Sequence, residues 1–396
     1  MPWKETRALE EREKFIRDWA KQEDDFAELC RRYGISRPTG YKWVDRYECE
    51  GEVGLQERSR APHHRPQAIT DSTAERILSL RGEHPRWGAR KLKAYLERKA
   101  ADVSWPSASS IGDLLRREGL TQARRKRKRT PLYSEPLAHA QAPNQVWCAD
   151  FKGWFLCGDG KRCDPLTITD AFSRYLIRCR SVHKTDGWHV RTVFEAAFRE
   201  CGLPESIRTD NGAPFATRAP GGLSRLNMWW LRLGIRHERI APGCPEQNGR
   251  HERMHGTLKE ETASPPRASQ RQQQQAFKEF QRIYNEQRPH EALAYETPAS
   301  LYTASTRLYP SRLPEIEYGD DMQIRRVSQQ GSVKWKGART FISEVVSRDW
   351  VGLREADKGV EVWYGPLLLG WLDPHKQKFH QVKPDRPKRR EPAKAI

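Results

Sequence analysis

Between residues 144 and 261 the chain alternates short apolar runs with amphipathic ones, in an order that few architectures accept. Residues 146–157, 163–169 and 174–182 read as strands, with Gly158-Asp159-Gly160 as the hairpin turn between the first two. Residues 186–201 read as a helix, with Val190, Phe194, Ala197 and Phe198 on one face. Gly202-Leu203-Pro204 stops it before a short strand that runs to Asp210. A helix over 226–233, a strand over 235–240 and a helix over 247–261 follow. Three strands, then helix, strand, helix, strand, helix require an α/β sheet covered by helices.

Three acids punctuate this order. Asp150 lies in the first strand, Val146-Trp147-Cys148-Ala149-Asp150-Phe151. Asp210 sits where a strand enters the turn Asp210-Asn211-Gly212. Glu252 falls about one turn into the helix that follows Pro245-Glu246-Gln247-Asn248-Gly249, where Asn248 is a possible cap. A lone Glu on a basic helix is ordinarily a solvated ion-pair partner. Two aspartates at strand ends change that reading, because carboxylates converging from strands and a helix can hold a divalent cation that prefers oxygen. Asp170, beside Ser173-Arg174, reads as structural, and Glu260 is rotated off the face of Glu252. Cys148 reads as core-lining, and no Ser/His/Asp or Cys/His pattern competes.

Asp150, Asp210-Asn211-Gly212 and Pro245…Asn248-Gly249…Glu252…Lys259 together resemble the Asp-Asp-Glu signature of the retroviral-integrase superfamily, most of all the integrase-like transposases of bacterial insertion sequences. Tyr284-Asn285-Glu286-Gln287-Arg288-Pro289-His290-Glu291-Ala292-Leu293 and Thr297-Pro298 resemble the segment that follows the core there. The resemblance implies a ribonuclease H-like core and metal-dependent DNA cleavage followed by strand transfer. It implies two Mg²⁺ (or Mn²⁺) ions, with Asp150 bridging, Asp210 on one and Glu252 on the other. The partners it implies are double-stranded DNA, as terminal inverted repeats and target, and further copies of the chain on that DNA. One departure is the interval from Asp210 to Glu252, longer than the family's; the excess falls in 216–222, whose composition is that of a loop. Lys259, seven residues after Glu252, returns to within about 20° of the same helix face and about 10.5 Å further along, within reach of a phosphate. A DNA-binding regulator without activity and a metal-dependent endonuclease remain as alternative readings.

The rest of the chain reads as DNA-binding equipment. A net charge of +19 over 396 residues points to a polyanion. Residues 5–21 read as a helix with Leu9, Ile16 and Trp19 on one face. Residues 25–44 read as helix, glycine turn, Ser36 cap and second helix: a helix-turn-helix whose Ser36, Arg37, Thr39 and Lys42 would face the major groove. Pro38 and Gly40 predict an imperfect second helix. Residues 70–115 read as a second such module: Thr70 or Asp71 caps a helix carrying Ala74, Ile77, Leu78 and Leu80, and Leu92, Tyr95, Leu96, Ile111, Leu114 and Leu115 point inward on the next two. The uninterrupted run Arg124, Arg125, Lys126, Arg127, Lys128 and Arg129 cannot bury and suits backbone phosphates without sequence preference. After residue 311, short runs at 332–335, 340–344, 350–355, 359–364 and 367–373 suggest a small β-barrel, which the resemblance also implies. The expected domains are 1–60 and 61–122 (helix-turn-helix), 123–137 (basic linker), 138–303 (core and trailing helix), 304–375 (β-barrel) and 376–396 (basic tail). Eight scattered cysteines read as reduced thiols, and no apolar run suits a membrane span or a signal segment. A cytoplasmic, nucleoid-associated bacterial protein is expected.

Overall fold

The computed structural model describes residues 8–58, 69–121, 137, 139–241, 245–357, 359–373 and 376–382. The basic run 124–129, the His63-His64 pair and most of the tail lie outside these. The chain divides into two compact units, Met1–Ala68 and Ile69–Ile396.

The first unit is three helices: α1 (Ala8–Ala20), α2 (Phe26–Arg32) and α3 (Arg37–Glu50). Asp25 caps α2 and Ser36 caps α3. The core is Phe15, Ile16, Leu29, Cys30, Ile35, Trp43, Val44 and Leu55. Leu9, expected inward on α1, is exposed, and Phe15 takes the buried place. Gly40 does not weaken α3, which runs through it for 14 residues. The glycine is there for packing: a Cβ would lie 2.7 Å from the Cys30 Sγ and 2.9 Å from the Phe26 Cζ.

The second unit opens with α4 (Asp71–Glu83), α5 (Ala89–Lys99) and α6 (Ala108–Arg117) around Ile77, Leu92, Ile111, Trp87 and Trp105. Tyr95 is only partly buried. This module is fastened to the core that follows. The Arg98 Nη2 donates to the Tyr295 carbonyl at 2.7 Å, Arg90 faces Glu291 at 3.4 Å, and Arg86 faces Glu260 at 3.7 Å. Ile283 packs against the module's apolar cluster.

The core is a mixed sheet of β1 (Val146–Phe151), β2 (Phe155–Leu156), β3 (Arg162–Asp170), β4 (Leu176–Val182), β5 (Ser206–Thr209) and β6 (Arg236–Arg239). β3 pairs antiparallel with β1 on one edge and β4 on the other, while β1, β5 and β6 are parallel. Helices α7 (Gly187–Cys201) and α8 (Arg225–Arg232) cover one face, burying Phe194, Phe198, Trp229 and Trp230 against Trp147 and Ala149. Helices α9 (Gly249–Thr262) and α10 (Gln270–Arg282) cover the other. This is the strand and helix order expected of the core. The single strand read over 146–157 is interrupted. Phe151 pairs with Leu166 but Phe155 with Cys163, so four steps on one strand answer three on the other. The extra residue is a bulge at 152–154, where Gly153 has φ +84°. Past residue 303 the chain stays on the core: the Leu203 N–H donates to the Arg307 carbonyl at 2.7 Å, and Tyr309 and Leu313 pack on it.

The C-terminal part carries β7 (Gln323–Arg326), the hairpin β8 (Ser332–Trp335) and β9 (Ala338–Phe341), then β10 (Trp350–Ala356), β11 (Gly359–Tyr364), β12 (Leu367–Asp373) and β13 (Lys378–Gln381). The last strand falls where the sequence reads as tail. Five strands make one antiparallel sheet in the order β13-β12-β11-β10-β7, and the hairpin stands apart. They share a core of Val333, Trp335, Val351, Leu353, Val362 and Tyr364. No described pairing closes them into the barrel expected. The surplus residues 216–222 are not an idle loop. They form a 3-10 turn at Pro220–Gly222 on which β12 docks: a Cβ on Gly221 would lie 2.9 Å from Leu367. Leu223 and Met228 join the core of the C-terminal sheet. Among the described residues no helix is long and apolar enough to cross a membrane.

Candidate active site

Asp150 is the fifth residue of β1 and projects to the α9 side, with Cys148 and away from Trp147. Its Oδ2 accepts from the Asn248 Nδ2 at 2.8 Å. Asn248 precedes α9 but makes no cap bond, so the amide read as a cap instead ties the start of the helix to β1. Asp210 follows β5, the parallel neighbour of β1. Its Oδ1 accepts from the Gly212 N–H at 3.1 Å, and the Asn211 Nδ2 pins the same turn to the Ile240 carbonyl at 2.8 Å. A Cβ at residue 212 would lie 3.0 Å from the Asp210 Oδ2, so glycine leaves the carboxylate its room. Glu252 is the fourth residue of α9, exposed, with no hydrogen bond or ion pair among the described residues.

The three acids feel one another's charge. Burial first, then the charge of Asp210, pushes the Asp150 carboxyl up to about 7; Glu252 adds to the rise, while the Phe151 N–H and the Asn248 amide oppose it. A carboxyl so crowded by negative charge is where a cation is most favoured. The donors are all carboxylate oxygen, which fits a hard divalent ion such as Mg²⁺. Among the described residues no three His, Cys, Asp or Glu side chains are drawn close enough to hold a metal as they stand. Asp150 and Asp210 are held by hydrogen bonds, and Glu252 is the unrestrained member.

Behind the acids lies a buried polar cluster that the sequence reading missed. His251 and His255, four residues apart on α9, both reach the Thr167 Oγ1, at 2.6 and 2.7 Å from their Nε2 atoms. Thr167 stands opposite Asp150 across the β1–β3 pair, and its hydroxyl donates to the Asp150 carbonyl at 3.1 Å. With its one hydrogen spent there, Oγ1 accepts from both imidazoles, so both carry hydrogen on Nε2. The His251 Nδ1 then accepts from the Thr169 hydroxyl at 3.1 Å. Burial pushes the His251 pKa down to about 3 and that of His255 to about 2, so both are neutral. The cluster fixes α9, and with it Glu252, against the strand that carries Asp150. Its signal in the sequence was two histidines at helical spacing beside Glu252 and two threonines at strand spacing in an apolar run.

The other candidates separate. Asp170 is buried and accepts from the Asn144 N–H at 2.8 Å, the Ser173 N–H at 2.7 Å and the Ser173 hydroxyl at 2.6 Å, a structural role. Glu260 is exposed and pairs with Arg86. Lys259 is exposed on α9 without an ion pair among the described residues. In the first unit Ser36 and Thr39 are occupied with each other, Oγ to Oγ1 at 2.9 Å, while Arg37 and Lys42 are exposed. Tyr41, exposed beside them, was not singled out by the sequence.

Residues 140–245 and 233–298 match the integrase core domain family, residues 11–63 a helix-turn-helix domain, and residues 39–115 a homeodomain-like domain. The chain is 32% identical over 254 residues to an uncharacterized 31.7 kDa protein of insertion element IS407 from Burkholderia multivorans, covering 63% of this chain and 87% of that protein. It is 28% identical over 242 residues to transposase InsD of insertion element IS2 from Escherichia coli, covering 56% of this chain and 75% of that one. Among solved structures, the HTLV-2 integrase catalytic core domain in complex with magnesium matches 41% of this chain and 98% of its own, at 17% identity and a TM-score of 0.33.

Proposed function

The chain belongs to the integrase-core DNA transposases of bacterial insertion sequences, and we propose that Asp150, Asp210 and Glu252 are its catalytic carboxylates. The observation that carries this is the placement of Asp150 and Asp210 at the ends of the adjacent parallel strands β1 and β5, with the Asn248 amide tying the start of the Glu252 helix to Asp150. Asp150, Asp210 and Glu252 would hold two Mg²⁺ or Mn²⁺ ions. When bound, such ions lower the pKa of an attacking water or hydroxyl and stabilise the leaving oxygen of an in-line displacement at phosphorus. The chain's own residues do the rest. β1 and β5 give the aspartates fixed positions, the Asn248 amide orients Asp150, and the His251–Thr167–His255 cluster sets the helix that brings Glu252. The exposed Lys259 contacts a phosphate near the scissile one.

DNA is recognised upstream. Helix-turn-helix residues 11–63, with Arg37 and Lys42 exposed and Ser36 and Thr39 at the start of α3, read the terminal repeats in this proposal. Arg124, Arg125, Lys126, Arg127, Lys128 and Arg129 add affinity through the backbone. The chain works on its DNA as an oligomer, in the bacterial cytoplasm at the nucleoid. The test is cleavage and plasmid integration of labelled element ends. Asp150→Asn, Asp210→Asn and Glu252→Gln should each abolish both steps and leave end binding intact. Parental cleavage by Asp210→Asn would overturn the assignment. Cleavage without joining by the parental protein would favour the endonuclease reading.

A further inference from the structure

The bulge between β1 and β2 does more than interrupt a strand. It turns Trp154 outward, leaving it 59% exposed. Beside it opens a cavity of about 130 Å³ floored by Phe155, Pro165 and Leu258 and rimmed by Lys152, Trp154 and Lys259. Both lysines come from the elements that carry the proposed catalytic acids: Lys152 stands two residues after Asp150, and Lys259 seven after Glu252. Neither has an ion pair among the described residues. An apolar floor rejects a hydrated ion, and two free ammonium groups on the rim reject a purely apolar guest. The guest that satisfies both has a flat apolar face and anionic groups at its edge.

We propose that this cavity takes one unpaired nucleobase of the DNA strand held at the carboxylates, stacked against Trp154, with its flanking phosphates on Lys152 and Lys259. A base inside a duplex presents no free face. The cavity therefore engages DNA only where a pair at the element end has opened, and it favours that opening. This rests on the assignment of Asp150 and Glu252 to the reacting site. It adds to it that the end is held frayed.

The test uses the full chain without divalent ions, so that nothing is cut. The probes are a single-stranded oligothymidylate carrying one 2-aminopurine and the same strand in a blunt duplex. Binding of the single strand should quench the 2-aminopurine. Trp154→Ala should weaken that binding about tenfold, the order seen on removing a stacking aromatic, and abolish most of the quenching. Trp154→Phe should retain most of both, showing that the fold survives. Lys152→Ala and Lys259→Ala should each reduce the salt slope of single-strand binding by about 0.7. Binding of the duplex, where a terminal pair must first open, should fall distinctly less with Trp154→Ala than binding of the single strand. The proposal fails if Trp154→Ala binds and quenches as the parent does, or if duplex binding falls equally, which would mean a general surface contact. Cleavage of ends in Mg²⁺ is scored separately. Parental cleavage by Asp210→Asn sinks the carboxylate assignment, whereas an unchanged single-strand response in Trp154→Ala sinks only the cavity.

Discussion

At the scale of single residues, the site is held by buried polar groups behind the acids. Thr167 spends one oxygen on three partners, the Asp150 carbonyl and two imidazoles. Thr167→Val keeps the shape and strands two buried N–H groups. An unpaired buried donor costs about 1–3 kcal/mol, so a loss of roughly 2 kcal/mol or more in unfolding free energy is expected, with a lower cleavage rate on ends that still bind. Thr167→Ser keeps the oxygen and should recover both. Equal stability and cleavage in the valine and serine variants would show that the cluster anchors nothing. The proposed acids could be picked out in the sequence from their residue types, their places at strand ends and helix start, and the resemblance they carry. The threonines and histidines could not, because a polar residue in an apolar strand looks the same whether it faces solvent or a partner helix. Only the register of β1 on β3 shows that Thr167 stands behind Asp150.

Among elements, α3 shows where propensity misleads. Glycine inside a helix argues for weakness when only its own backbone is weighed. Here the missing Cβ lets α3 approach Phe15, Phe26 and Cys30. Gly40→Ala should therefore destabilise the first unit by about 1–3 kcal/mol, the range for overpacking a filled core, despite alanine's better helix propensity. Hydrogen exchange of the α2 and α3 amides measures it; slower exchange in the variant would refute the packing argument. Helix starts with strong caps, such as that of α4 behind Thr70 and of α7 behind Asp186, were legible to within a residue. The bulge after Phe151 was not, since Lys152-Gly153-Trp154 alternates well enough to pass for strand. β7 and the shelf at Pro220–Gly222 owe their form to neighbours distant in the chain, which a local pattern cannot contain.

Across the whole molecule, acid should be a stronger denaturant than the carboxylates alone suggest. Burial pushes His237 and His290 down to about 3 each, while in the unfolded chain they titrate near 6.5. Below about pH 6.5 the unfolded state takes up protons that the folded state refuses. Stability is thus full above that pH and falls toward pH 3, by about 1.4 kcal/mol per pH unit for each histidine, on a chain already at +19. Denaturant midpoints across that range test it, and a flat profile would contradict it. The fastening of residues 69–121 to the core has a different consequence. Arg98 on the Tyr295 carbonyl, Arg90 by Glu291 and Arg86 by Glu260 tie that module to α9 and the segment after α10. If this module, like residues 11–63 in the proposal above, grips element DNA, such a mount makes it a fixed caliper: the bond to be cut lies at a set distance and helical phase from the sequence it grips. Lengthening an end between those points by about five base pairs, half a turn of duplex, should leave binding intact and stop cleavage, whereas a loosely tethered module would still cut. An insertion sequence with such a caliper can change its interior freely. The interval between the gripped sequence and the element's tip can change only together with this chain.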